Sequence, residues 1–323
     1  MKIINLFLNS IIFMMSFTSV FSEPRADFSN FITKYNKNYD SIEYEHRFNV
    51  FNQNLDLINN HNTQNHSWKM EVNNFADISI DEFNGLYKTY KKTDLIESIP
   101  RTNFTYSLES LPDNFDWTAL GAVTPVKNQQ QCGSCWAFST TGSTEGAWFL
   151  KNHKLLSLSE QQLVDCSKPQ GNDGCSGGLM DQGFKYIEQN VLCLENDYPY
   201  TAADGTCKTT CKSVVKISSF VDVPENNEVA LQNAVHLTPV SVAVEADQWQ
   251  FYSSGVLTTT CGTNLDHGVL LVGWGVDSNN VPFWKVKNSW GTEWGDEGYI
   301  LLQRGVSSSG QCGIAMQPSY PVV

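Results

Sequence analysis

Residues 1–131 of this 323-residue chain contain no cysteine, and all nine cysteines fall between Cys132 and Cys312. A cysteine-free leader therefore precedes a body in which cross-links are available. Past the N-terminal segment there is no apolar run of about twenty residues, so nothing in the interior reads as a membrane span. Basic residues are scarce: 21 Lys and Arg face 34 Asp and Glu, a formal net charge of −13. That balance excludes a general nucleic-acid binder, which needs a basic patch to displace counterions. Neither an HxxxH pattern nor a second CxxC occurs, so a zinc knuckle lacks half of its ligands. No internal repeat is present, and asparagine in the leader is the only compositional bias.

Lys2 precedes a mostly apolar run from Ile3 to Phe21, with the small residues Val20 and Ser22 near its end, which reads as a secretory signal over residues 1–22. Export to an oxidising compartment makes disulfides the default. Because nine is odd, at least one cysteine stays unpaired within the chain. Sequons at Asn65 and Asn103 point to glycans on the leader, and the body has none.

Phe28, Phe31, Ile32 and Tyr35 recur at the spacing of one helix face. Asp40 with Glu43 forms a capping box before a second periodic run, Phe48, Phe51, Leu55 and Ile58. These two helices predict a small all-α unit, and the polar stretch between Lys88 and Pro112 reads as a linker and cleavage zone. In the body, residues 135–150 read as helix, and Ser159 with Gln162 marks another helix start. After about Lys212 the period changes: VVKI, PVSVAVEA, GVLLVGW, PFWKVKN and GYILL are short β-rich runs, interrupted by one helix around residues 227–235. A helical half followed by a strand half predicts an α+β body with two sub-domains and a cleft at their seam.

The stretch QQQCGSCWAF holds Cys132 and Cys135 three residues apart. A redox dithiol would need both sulfurs free to cycle, and it leaves Gln129, His267 and Asn288 unexplained. Nucleophilic catalysis instead needs a thiolate, a base, a group that orients the base, and donors for an oxyanion. Cys135 stands where a loop becomes a helix, so the dipole and free N–H groups favour its anion. His267 opens an expected strand, and the Asn288 amide can accept from one ring nitrogen and fix the tautomer without adding charge.

PVKNQQQCGSCWAFS, GCSGGLM, LDHGVLLVGWG and KNSWGTEWGDEGYI, in that order, resemble the papain-like cysteine proteases, nearest the cathepsin L-like branch. The leader shares the resemblance. Glu43, Arg47, Phe51, Asn54, Ile58 and Asn62 match the E-x3-R-x3-F-x2-N-x3-I-x3-N pattern of inhibitory propeptides; Asn73, Phe75 and Asp77 match most of G-x-N-x-F-x-D, with Glu71 where glycine is usual.

The resemblance implies a signal peptide at 1–22, a helical inhibitory propeptide at 23–110 and a papain-like peptidase domain at 111–323. The body would pair a helical domain with an antiparallel, β-barrel-like one. Cys135 would be the nucleophile, His267 its partner, Asn288 the orienter and Gln129 an oxyanion donor, with Trp290 covering the His267–Asn288 bond. Gln130 replaces a usual glycine; if that position needs positive φ, a side chain there costs on the order of 1 kcal/mol.

Substrate would bind along Gly177, Gly178 and Asp266. The pocket for the side chain two residues before the cut (P2) would be lined by Leu179, Met180, Ala243, Leu265 and Gln317, favouring apolar or aromatic residues with broad tolerance. The implied disulfides are Cys132–Cys175, Cys166–Cys207 and Cys261–Cys312, leaving Cys193 and Cys211 as a fourth pair. No cofactor or metal is implied. The expected partners are protein and peptide substrates, the chain's own propeptide and cystatin-like inhibitors, with no nucleic acid and no membrane, and the enzyme would act as a monomer. Its route would be the secretory pathway, to a lysosome, a vacuole or the exterior, with acid releasing the propeptide by protonating interface carboxylates. A disulfide oxidoreductase using Cys132 and Cys135 is the alternative; a catalytically weak peptide binder is the third reading.

Overall fold

The computed structural model describes residues 24–90, 104, 110–208 and 211–323. The expected signal segment and the sequon at Asn103 lie outside the described residues. The chain divides into two compact units, residues 1–48 and 49–323.

In the first unit, helix α1 (Pro24–Lys34) turns into α2 (Ser41–Thr63). Phe28 anchors this corner, its ring centroid 5.2 Å from Tyr44 and 5.5 Å from Phe48. Asp40 caps α2, its Oδ1 accepting from the backbone N–H of Ile42 at 2.8 Å and of Glu43 at 2.9 Å. The Glu43 carboxylate pairs with Arg47 one turn on.

The second unit takes in the rest of the leader and the whole body. Strand β1 (Trp68–Met70) and helix α3 (Ile80–Tyr87) complete the leader, and α3 opens with a full capping box between Ser79 and Glu82. The body follows with β2 (Phe115–Asp116), α4 (Cys135–Asn152), α5 (Glu160–Cys166) and α6 (Met180–Gln189). Next come β3 (Leu192–Cys193), β4 (Ser213–Val215), β5 (Ser219–Asp222) and α7 (Glu228–Leu237). The last strands are β6 (Val240–Val244), β7 (Tyr252–Leu257), β8 (His267–Val276), β9 (Pro282–Lys287), β10 (Tyr299–Gln303) and β11 (Ser319–Val322).

The main sheet runs β1-β7-β10-β9-β8-β6-β11-β5, with β2 also pairing β8; β3 and β4 form a separate pair. Strand β8 is buried over nine of its ten residues, which is why its sequence is a continuous apolar run rather than an alternating one. One core lies among Trp136, Leu163, Val164, Phe184 and Ile187 on the helical side, the other among Leu231, Trp274, Trp284 and Ile300 around the sheet. The seam is where α4 meets β8: the Ser139 hydroxyl donates to the Val269 carbonyl at 2.7 Å. The mixed helix-and-sheet body is the expected one.

Three expectations change in detail. The sheet among the described residues is an open ladder rather than a closed barrel, and β10 pairs β7 in parallel. The outer edge of β7 is taken by β1, so it is not available to close the sheet on itself. Second, the leader is not all helical, because β1 adds an antiparallel strand to the body. That pairing needs Gly255, at φ 83°, since a Cβ there would stand 2.3 Å from the Ser67 carbonyl oxygen. A three-residue strand has no period to read, and its partner lies nearly two hundred residues away. Third, the stretch read as linker begins with three ordered residues, Lys88 to Tyr90, packed against the body.

Candidate active site

The helix α4 begins at Cys135 itself, after a loop tied down by the Cys132–Cys175 disulfide and by a Gly133 N–H bond to the Cys175 carbonyl at 3.0 Å. The hydroxyl of Ser134 shares a 2.6 Å hydrogen bond with Tyr200 and does not cap the helix. The Ala137 N–H turns back to the Ser134 carbonyl at 2.8 Å, while the backbone N–H groups of Gly268, Thr89 and Trp136 lie on the sulfur's side and favour its anion. Cys135 is the free cysteine among the described residues. The structure also joins Cys166 to Cys207, Cys193 to Cys211 and Cys261 to Cys312. With Cys132 bonded to Cys175, the CGSC pair is not a dithiol, which removes the oxidoreductase alternative.

From the sheet side, His267 opens β8. Its neighbour Gly268 lies so near the start of α4 that a Cβ would stand 3.3 Å from the Trp136 backbone nitrogen. The ring's Nε2 sits 2.8 Å from Asn288 Oδ1, so Nε2 carries the hydrogen and Nδ1 is left for other work. Nδ1 makes no hydrogen bond, although the Tyr87 carbonyl lies near the ring and favours its proton. Trp290 stacks on the imidazole at 4.7 Å and keeps water from the His267–Asn288 bond. The leader's Phe75 and Phe83 meet Trp290 edge-on, at 5.9 and 5.0 Å.

Gln129 is fully buried and held from three sides. Its Oε1 accepts from the Ser289 hydroxyl at 2.7 Å, and its own carbonyl accepts from Tyr200 at 2.8 Å. Nε2 therefore points away from Ser289, donating to the Cys132 carbonyl at 3.0 Å and the Tyr87 carbonyl at 3.4 Å. Gln130 does adopt positive φ, 52°, and its N–H is satisfied by Asn128 Oδ1 at 2.8 Å. The strain is present, but Gln129 remains anchored.

Burial sets the protonation states. The Cys135 thiol is pushed up to about 11, because desolvation outweighs the N–H groups around it. His267 is pulled down to about 4, again chiefly by burial, with Asn288 opposing. Beneath the leader the pair is thus a neutral thiol and a neutral imidazole. The thiolate expected from the helix start alone does not hold for this covered state, because the leader removes the water that would support two charges.

The leader crosses the site from Tyr87 to Tyr90. Lys88 forms ion pairs with Asp247 and with Asp266, the latter at 2.9 Å. Asp266 is itself raised above the ordinary carboxylate range by burial, with Lys88 opposing. Thr89 lies on the sulfur. Tyr90 donates its N–H to the Asp266 carbonyl at 2.9 Å and makes a parallel bridge to Gly178, just past Gly177. Its ring enters the apolar cluster of Leu179, Met180, Ala243 and Leu265, and its hydroxyl donates to Gln317 Oε1 at 2.5 Å. The residues expected at a P2 pocket are therefore assembled around a leader side chain. Ser289, Tyr200 and Tyr90 escaped the sequence reading; Ser289 follows Asn288 directly in the NSW motif, whereas nothing in KTYKK marks Tyr90. Asn65 is exposed in the turn before β1. Among the described residues no group of three or more His, Cys, Asp or Glu side chains is placed to hold a metal ion.

Comparison with known proteins gives the same picture. Residues 111–322 match the family described as papain family cysteine protease, and residues 28–83 match the cathepsin propeptide inhibitor domain. A senescence-specific cysteine protease of Oryza sativa subsp. japonica is 46% identical over 306 residues, covering 92% of this chain and 89% of that protein. Vignain of Ricinus communis is 47% identical over 291 residues, covering 87% of this chain and 81% of its own. Among solved structures, digestive procathepsin L 3 of Tenebrio molitor larval midgut superposes with a TM-score of 0.87 at 39% identity, covering 94% of this chain and all of that one. A recombinant stem bromelain precursor gives 0.86 at 38% identity, covering 93% and 99%.

Proposed function

The chain belongs to the papain family of cysteine proteases and carries its own propeptide, and on that footing we propose that Cys135, His267, Asn288 and Gln129 carry out peptide-bond hydrolysis once the leader leaves. Readmitted water and the opening N–H groups of α4 then favour passing the Cys135 proton to His267 Nδ1, while Asn288 holds Nε2. The thiolate attacks the peptide carbonyl carbon, and the carbonyl electron pair moves onto oxygen, where the Gln129 amide and the Cys135 backbone N–H receive it. As the oxyanion collapses, the C–N bond breaks and His267 gives its proton to the leaving amine. The resulting thioester is cut by water whose proton His267 accepts, and the thiolate is released.

One observation carries this reading: α4 opens on the free cysteine, the backbone of its next residue Trp136 packs against Gly268, and the far nitrogen of the adjoining His267 is held by Asn288 at 2.8 Å. Replacing Cys135 by Ala abolishes turnover and self-processing, and a peptidyl epoxide applied at acidic pH attaches to Cys135; peptidase activity persisting in the variant overturns the assignment.

The path of the leader supports inhibition in place. A substrate puts its P2 residue upstream of the carbonyl at the sulfur. The leader puts Tyr90 in that pocket, downstream of Thr89 at the sulfur and of Tyr87 at Gln129. It runs the opposite way, so no carbonyl follows the pocket residue onto Cys135. Apolar walls favour apolar or aromatic P2 side chains, and cleavage is internal. We assign residues 1–22 to a secretory signal, 23–110 to the propeptide and 111–323 to the peptidase, with glycans at Asn65 and Asn103, a vacuolar, lysosomal or extracellular destination, a monomeric state and cystatin-like inhibitors as partners. N-terminal sequencing and glycosidase shifts of the secreted precursor test the processing and the glycans.

A further inference from the structure

Apolar walls alone do not tell tyrosine from phenylalanine, because the two rings bury nearly the same surface. The floor of the pocket does. The hydroxyl of Tyr90, a residue only 8% exposed, ends on Gln317 Oε1 at 2.5 Å. Beyond it, the Asp181 carboxylate accepts from the Ser319 hydroxyl at 2.8 Å, and its charge bears on the phenol. Burial also holds the Tyr90 phenol well above its ordinary pKa, so it stays a donor. A floor whose amide oxygen accepts suits a side chain that is aromatic along its length and a donor at its tip.

From this we infer that Gln317 reads a hydroxyl, and that the mature enzyme prefers Tyr to Phe two residues before the cut. The inference rests on the P2 pocket assignment above and adds the chemistry of its floor. Direction of the backbone does not matter to it: pocket depth decides where the ring ends, and Tyr90 shows that a phenol spans from the Gly178 bridge to Gln317. A phenylalanine in the same place leaves the Gln317 oxygen facing a ring edge. Sites built to hydrogen-bond a hydroxyl reject the analogue lacking it by up to 10⁴–10⁵-fold when fully sealed. Gln317 is only half-buried, so water partly replaces the lost bond. The expected preference is therefore about three- to tenfold, the range of a net neutral hydrogen bond. The leader, on this view, uses as its plug the side chain the pocket reads best.

The test takes enzyme released from the full-length precursor, titrates its active sites, and compares kcat/KM on peptides that differ only at P2: Tyr, Phe, Leu and Gly. Tyr should exceed Phe by about three- to tenfold, and the ratio should fall to one or below in Gln317→Leu, with Gln317→Met as the substitute if that variant does not fold. A wild-type ratio near one, or a ratio untouched by the substitution, overturns the inference while Leu remains preferred to Gly. Equal cleavage of Leu and Gly peptides overturns the pocket assignment itself, and the inference with it.

Discussion

Two of the polar clusters buried among the described residues meet burial in opposite ways. Cys135 and His267 lie under the leader with no opposite charge beside them, and desolvation drives both to their neutral forms. Lys127 lies between Glu145 at 3.2 Å and Glu160 at 2.6 Å and also donates to the Leu158 carbonyl, while Thr141 donates to Glu160. Burial pulls Lys127 down, but the two carboxylates more than reverse it, and its pKa is raised. Glu160 is raised by burial, with Lys127 opposing. Lys127 keeps its charge because two carboxylates are built beside it, whereas burial and the neighbouring Glu145 push Glu160 up to about 8 even with Lys127 in reach. One cluster is a fixed brace between α4 and α5; the other is the proposed reaction centre, held uncharged.

The contrast breaks most sharply at Lys127. Lys127→Met leaves Glu145 and Glu160 buried without their cation and should cost about 3–5 kcal/mol, read as the urea midpoint of precursor that also carries Cys135→Ala to prevent self-processing. Cys135→Ala by itself, in the uncharged cluster, should cost about 1 kcal/mol while removing all turnover.

Acid sharpens the same contrast. His267 has a lower pKa in the covered state than its ordinary value of 6.5, so the folded precursor binds fewer protons there than the unfolded chain. Its contribution to the stability of the precursor is complete above pH 6.5 and is lost as pH falls towards about 4, a total on the order of 3 kcal/mol. Precursor stability measured from pH 7 to 4 should fall, and fall less in His267→Gln. Asp266 has the opposite sign, because a carboxylate raised by burial gains its proton more easily in the covered form. Of these two groups at the site, the imidazole rather than Asp266 is the one through which acid weakens the precursor.

Smaller effects follow at the oxyanion loop. Gln129→Ala should lower kcat/KM by about 10²-fold with the fold intact, checked by active-site-titrated kinetics. Gln130→Gly relieves a left-handed backbone and should stabilise the precursor by up to about 1 kcal/mol, read as a higher urea midpoint.

Much of the architecture was legible because it is written locally. Residues 135–150 and the runs beginning at Pro239, Gly268, Pro282 and Gly298 became α4, β6, β8, β9 and β10 within a residue or two. The caps at Asp40 and Ser159 did as their side-chain oxygens suggested. Strands β7 and β11 were not picked out: YSSGVL carries a serine pair and a glycine, SYPV a proline, and each is a strand because a neighbour's edge receives it. Within the site, the motifs named Cys135, His267, Asn288 and Gln129. They did not name Tyr90, whose role comes from where α3 releases the chain over the cleft.

The order of residues alone determined the inventory: an odd cysteine, an imidazole, two amides, a strand apolar enough to lie inside, and a leader without sulfur. These follow from residue chemistry and short-range geometry, which need no knowledge of distant partners. Only the folded chain decided which sulfurs were bonded, that β1 of the leader would occupy the edge of β7, and that the thiol and imidazole would be uncharged. Those outcomes depend on which surfaces lose water together, and desolvation is a property of the assembled neighbourhood rather than of any residue within it.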